Sequence, residues 1–147
     1  MELCEDVVVG YQKKPAIEFK SGNACYIPSL DEVRMPQLNA FKDSESFYAT
    51  LFHELGHSTG HHARLNRQGV TGPIEFGSKD YSSEELIAEI SASFLCAHCQ
   101  IENKVIDNSV AYLNGWISKL SNDKYMIIKA ASEAQKAFNL IVNKGSL

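Results

Sequence analysis

The chain has 147 residues, 44% of them hydrophobic, with 14 basic against 18 acidic side chains and a net charge of −4, which suits one globular domain over residues 1–147 with a single real core. The acidic balance gives no electrostatic footprint for a nucleic-acid surface, and no apolar run is long enough to span a membrane. The opening Met1 to Asp6 has the wrong charge for an export signal, and Cys4, Cys25, Cys96 and Cys99 lack disulfide-scaffold spacing, so a reducing cytoplasm is the expected location.

The first forty residues read as short extended pieces. Residues 7–9 begin either a strand or a short helix from Glu2 to Tyr11. Ile17–Phe19 and Ala24–Ile27 are strand candidates separated by the turn Ser21-Gly22-Asn23, and Glu32–Met35 gives a third run. A small antiparallel sheet is expected. From Lys42 the period changes: Asp43 or Ser44 can cap a helix in which Phe47, Tyr48, Leu51, Phe52 and Leu55 share one arc, ending near Gly60. Residues 63–81 read as a long polar loop. Three further helices follow. The first runs from about Ser82 with Leu86, Ile87, Ile90, Phe94 and Leu95 inward. The second, from about Asp107, repeats Ile106, Val110, Leu113, Ile117 and Leu120. The third, capped by Asn122, repeats Ile127, Ala131, Ala134, Phe138 and Ile141. The class is α+β, mostly helical.

His53-Glu54-Leu55-Gly56-His57 is an H-E-x-x-H motif. Histidines four apart on a helix lie one turn above each other, so both imidazoles can hold one tetrahedral zinc ion. Glu54 sits about 100° round the helix from His53, placed to act as general base on a water that the metal activates, without ligating the metal itself. The bland alternative is two exposed histidines on an amphipathic helix, which the preceding apolar stripe disfavours.

A catalytic zinc site needs a third protein ligand. The extended form ending in a third histidine is excluded, because its last position is Ala63 and His62 is rotated away. A glutamate from the next helix remains. Glu85 and Glu89 share one face, and we assign Glu85 to the metal and Glu89 to the free N–H of a ligating histidine. Ser82-x-x-Glu85 also reads as a capping box, and Glu84 and Glu89 as an ordinary solvated helix face.

Phe41-Lys42-Asp43, Ser46 to His57, Thr59-Gly60-His61 and Arg64-Leu65-Asn66-Arg67 together resemble the zincin-like domain of ArdC-type antirestriction proteins. Phe76-Gly77-Ser78, Tyr81, Glu84 to Ile90, Phe94-Leu95-Cys96, Trp116-Ile117, Leu120 and the helix from Ala130 extend the match, which runs from about Ile17 to Ile141. The resemblance implies a gluzincin-like metal site with a glutamate from the Glu85 region. It also implies a mobile-element origin and protection of incoming DNA from host restriction. The separate N-terminal domain that binds single-stranded DNA in that family has no counterpart here, so the chain resembles the C-terminal domain alone.

The leading expectation is therefore a zinc metallopeptidase acting on a protein or peptide substrate, without single-stranded DNA or membrane partners of its own. The alternative is a catalytically silent, zinc-stabilised interaction domain that counters restriction by binding. An intact Glu54 favours the first; a closed fourth coordination position would favour the second. His61 reads as structural, Cys96 and Cys99 as core thiols rather than a metal knuckle, Tyr81 as a loop anchor, and Arg64 and Arg67 as solvated.

Overall fold

Of the two conformations open to the first residues, the computed structural model of the chain adopts the helical one, α1 (Glu2–Gly10), whose Cys4 and Val7 are buried. The structure describes residues 1–101, 103–121 and 123–143, with residues 103–109 described by backbone only. Strands β1 (Ala16–Phe19), β2 (Cys25–Ile27) and β3 (Glu32–Met35) form one sheet in the order β1-β3-β2. The antiparallel expectation holds for β2 and β3, where Tyr26 faces Val33, but β1 runs parallel to β3, with Ile17 beside Val33. Only β3 alternates inward, with Val33 and Met35 both 0% exposed, so it takes the centre of the sheet and leaves its two edges to β1 and β2. A tight turn after Ile27, with Asp31 at φ 47°, returns the chain into β3.

After a 3-10 turn at Leu38–Ala40 comes α2 (Ser44–Ser58), capped by Asp43, whose Oδ1 accepts from the Ser46 amide at 2.7 Å. Within the segment expected to be all loop, a one-turn helix α3 (Gln68–Thr71) forms, and α4 (Lys79–His98) begins earlier than Ser82. Its cap is Ser78, whose Oγ accepts from the Tyr81 amide at 3.2 Å. Next come α5 (Asn103–Lys119) and α6 (Lys124–Ile141). Among the described residues α2 thus has five companion helices rather than three; α1 and α3 are the additions. Asn122 lies outside the described residues, and Asp123 Oδ1 caps α6 from the amides of Tyr125 and Met126.

The core has two parts. Phe47, Leu51, Phe52 and Leu55 of α2 meet Val33, Met35, Cys4, Leu95 and Ile141 in the larger one; each such fully buried side chain contributes about 1.5–3 kcal/mol. Leu86 and Ile87 meet Leu120, Ala130 and Ala134 in the smaller. Leu113, Ile117 and Leu120 of α5 and Ile127, Ala134, Phe138 and Ile141 of α6 face the core as expected, whereas Val110 is 49% exposed and the side chain of Ile106 lies outside the described ones. The deepest positions of α6 also include Ala130 and Ala137, small residues that let α6 pack closely.

What positions the site is the approach of α2 to α4 at Gly56. A Cβ there would lie 3.2 Å from Ala88 Cα and O and 3.3 Å from Ser91 Cβ. A side chain there would press the two helices a few tenths of an ångström apart, which glycine avoids. The same closeness brings the glutamates of α4 level with the histidines of α2.

Candidate metal centre

One turn of α2 separates His53 from His57, and their Nε2 atoms lie 3.1 Å apart. Glu85 of α4 reaches between them: Oε2 is 3.4 Å from His53 Nε2 and Oε1 is 3.4 Å from His57 Nε2. One ligand atom from each of the three lies within 4.8 Å of the others, and among the described residues no other group of histidine, cysteine and acidic side chains gathers this way. A tetrahedral ion about 2.0–2.1 Å from each of three donors spaces those donors roughly 3.3–3.4 Å apart. The three side chains therefore fit a divalent ion with little movement.

Both outer nitrogens are also engaged. His53 Nδ1 lies 3.1 Å from Glu89 Oε2, and His57 Nδ1 lies 3.2 Å from Glu84 Oε1. With Nδ1–H donating to these carboxylates, it is Nε2 of each ring that becomes the ligand atom once its proton leaves, which is the tautomer a metal needs. Electrostatics follow from the same contacts. Burial opposes charge on His57, but hydrogen bonds to Glu84 and Glu85 and their charges outweigh it and hold its pKa up to about 10. His53 is raised in the same way, against burial, by Glu85 and Glu89. For Glu85 burial pushes upward, yet the two imidazoles hold it well below the usual carboxylate range. Without an ion, the site is a set of imidazolium–carboxylate pairs, and an ion entering it must displace protons.

Glu84 has a role that no local pattern in the sequence signals. It is 5% exposed, not a solvated face residue. Its carboxylate accepts from Arg67 Nε at 2.9 Å and Nη2 at 2.7 Å as well as bonding His57. Arg67 is likewise buried, and also donates to Thr59 Oγ1 at 2.6 Å and to the Gly56 carbonyl at 2.9 Å. Thus the residue after α2's exit loop clamps both the end of the motif helix and the carboxylate behind His57. The four-residue spacing of Glu85 and Glu89 was visible in the sequence; the Arg67 partner, from a loop, was not. Glu85 is no capping residue, since Ser82 lies inside α4 and is 2% exposed.

Glu54 is 8% exposed and lines a cavity of about 340 Å³ with His53, His57 and Tyr81. Tyr81 is on the first turn of α4 rather than in a loop, its ring 4.9 Å from Phe76 and 5.7 Å from Trp116. His61 is buried, accepting from the Ala63 amide through Nδ1. Arg64 is not solvated either: it pairs with Asp31 and donates to the Ser58 and Lys13 carbonyls, tying the end of α2 to the sheet. Cys96 and Cys99 are buried with Cys4 in the main core.

A family profile described as zincin-like metallopeptidase matches residues 9–133. The chain is 35% identical over 120 residues to the y4eC protein of Sinorhizobium fredii, covering 82% of this chain and 38% of that one. It is 38% identical over 119 residues to the DNA primase TraC of Escherichia coli, covering 81% of this chain and 11% of the primase. Among solved structures, the Mn(II)-bound antirestriction protein ArdC from the R388 plasmid superposes with a TM-score of 0.78 at 35% identity, over 97% of this chain and 52% of that one. The metal-free form of ArdC gives 0.73 at 37% identity, over 94% and 48%. The chain spans about half of the ArdC chains and a smaller share of the curated relatives. No helix among the described residues is long and apolar enough to cross a membrane.

Proposed function

The chain belongs to the zincin-like metallopeptidase family, and we propose that it is a zinc-dependent peptidase domain of an antirestriction protein carried on a mobile element. The reading rests on one observation above all: three converging donors, His53, His57 and Glu85, adjoin an open cavity that also carries Glu54. A purely structural ion needs four protein ligands and no acid–base residue; here three donors converge, and a carboxylate adjoins them.

Two imidazoles and a carboxylate are the donor set of catalytic zinc, while manganese is favoured by oxygen-rich sites. An ion held there supplies Lewis acidity, which acidifies a water toward a pKa of about 7 and polarises a carbonyl. The chain's own residues do the rest. Glu54 accepts the proton from the attacking water at its carboxylate and returns it to the leaving amine nitrogen. Glu89 and Glu84 keep the Nε2 lone pairs of His53 and His57 directed at the site, and Arg67 holds Glu84 in place.

The substrate is a polypeptide, and the antirestriction role is carried over from the ArdC structures, which this chain matches over nearly its whole length. Incubating the zinc-loaded chain with an unfolded protein and with host restriction proteins tests the reading. Cleavage that disappears with a chelator and in Glu54→Gln supports it. Restriction proteins bound tightly but left uncleaved, with zinc in place, would favour a silent interaction domain instead.

A further inference from the structure

Gly69 of α3 lines two cavities, the one of about 340 Å³ that holds Glu54 and a neighbouring cleft of about 290 Å³ that Arg67 also lines. Glu84 lines both as well, so its side chain forms part of the partition between them. Whatever fixes the direction of that side chain also fixes the acceptor for His57 Nδ1.

The backbone of α3 is close enough to do so. A Cβ at Gly69 would lie 2.8 Å from Glu84 Cβ, where carbon atoms in ordinary contact keep about 3.5–4.0 Å. It would also lie 3.1 Å from the Asp80 carbonyl oxygen. Neither atom is the far end of a flexible side chain, so neither can yield unless α3 and α4 move apart. The bare backbone at Gly69 therefore rests on the first carbon of the Glu84 side chain. A second glycine seats the same turn against the end of α2. A Cβ at Gly60 would lie 2.5 Å from Val70 Cγ2 and 3.0 Å from Arg67 Cζ and Nη2. The Arg67 amide donates to the Gly60 carbonyl at 2.9 Å, and Val70 is buried beneath α3. Alanine is the better helix former, so close packing rather than propensity accounts for glycine at position 69.

We propose that Gly69, together with Gly60, is a positioning residue of the metal centre: the missing side chains let α3 seat on the stem of Glu84, and that seat holds the Glu84 carboxylate between Arg67 and His57 Nδ1. The proposal rests on the reading of His53, His57 and Glu85 as metal ligands, and it adds that the turn between α2 and α4 sets how tightly they hold an ion. Neither glycine touches the ion; both act through Glu84.

Zinc affinity by chelator competition, beside denaturant unfolding in excess chelator, tests it. Gly69→Ala should weaken zinc binding by about 10-fold or more, the loss that follows when a ligating histidine is deprived of its outer partner. In the Glu84→Leu background no carboxylate remains to be displaced, so the same change should cost little further affinity. Gly60→Ala, which presses on Arg67 instead, should reproduce the loss, and it carries the test should Gly69→Ala fail to fold. Gly115→Ala, at a position with nothing within 4 Å, should bind zinc as the wild type does. Strain of a merely structural kind would lower stability in both backgrounds and leave zinc affinity alone. Wild-type affinity in both Gly60→Ala and Gly69→Ala, or a Gly69→Ala loss that recurs in full beside Glu84→Leu, would overturn the proposal. The predicted losses in a chain that cleaves no protein would retain it and count against the peptidase; cleavage by the wild type with unchanged zinc affinity in both glycine variants would do the reverse.

Discussion

Replacing Glu84 by leucine separates two roles that one carboxylate combines. It removes the acceptor for His57 Nδ1, and it strips a buried arginine of its counter-ion. The Arg67 and Glu84 side chains are 5% and 6% exposed, and breaking such a buried pair from one side costs about 3–5 kcal/mol. That is a large share of the roughly 5–15 kcal/mol that holds a domain folded. Glu89→Leu removes only the acceptor from His53 Nδ1, a loss of about 1–3 kcal/mol. Each substitution should weaken metal affinity by about 10–100-fold, or roughly 1.4–2.8 kcal/mol. Denaturant unfolding in excess chelator, beside zinc titration, measures both quantities. The double variant Arg67→Met, Glu84→Leu replaces the pair by apolar groups but also loses the Arg67 bonds to Thr59 and Gly56, so it should recover part of the lost stability while zinc binding stays weak. Equal stability of the Glu84 and Glu89 variants in chelator would refute the burial argument. Full zinc affinity in the double variant would refute the role of Glu84 behind His57.

Three other outcomes follow from the same geometry. His53→Ala or His57→Ala should abolish zinc binding, Glu85→Ala should weaken it more than Glu89→Ala, and Glu54→Gln should leave it nearly intact, all by competition with a chromogenic chelator; a reversed order would exchange the two glutamates. Because the pKa of His57 is raised to about 10 in the metal-free protein, its imidazole must lose a proton to bind an ion at any lower pH. Apparent affinity should therefore fall with falling pH, and calorimetry at pH about 7.5 in buffers of different ionisation enthalpy should find at least about one proton released per ion; no release would contradict the assigned pairing. The chain should bind an unstructured single-stranded oligonucleotide no more tightly than about 10 μM at physiological salt, because a strand-binding groove needs clustered positive charge. Tight, steeply salt-dependent anisotropy changes would place a DNA surface on this domain.

The parts of the site legible in the sequence are those within one helix. Spacing alone put His53 and His57 on one face with Glu54 round from them, and the four-residue step from Glu85 to Glu89 put those two together. What stayed hidden depends on partners from elsewhere. Glu84 looked solvated because nothing local reveals that Arg67 folds back over it, and Arg67 looked solvated for the same reason. The start of α4 is ambiguous in the sequence, since Ser78 and Ser82 each offer a capping oxygen and only the fold selects Ser78. The parallel β1–β3 pair was illegible because periodicity gives the faces of strands but not their order. The face of α6 was legible from Ile127, Ala134, Phe138 and Ile141, but the burial of Ala130 and Ala137 was not, because alanine carries little signal of which side it faces.

The most direct test of the central claim is anomalous diffraction at the zinc edge from crystals of the zinc-loaded chain. One strong peak bonded to His53 Nε2, His57 Nε2 and Glu85, with its fourth position open to the cavity beside Glu54, is the predicted result. A peak elsewhere in the molecule, or an ion closed off by a fourth protein ligand, would contradict it.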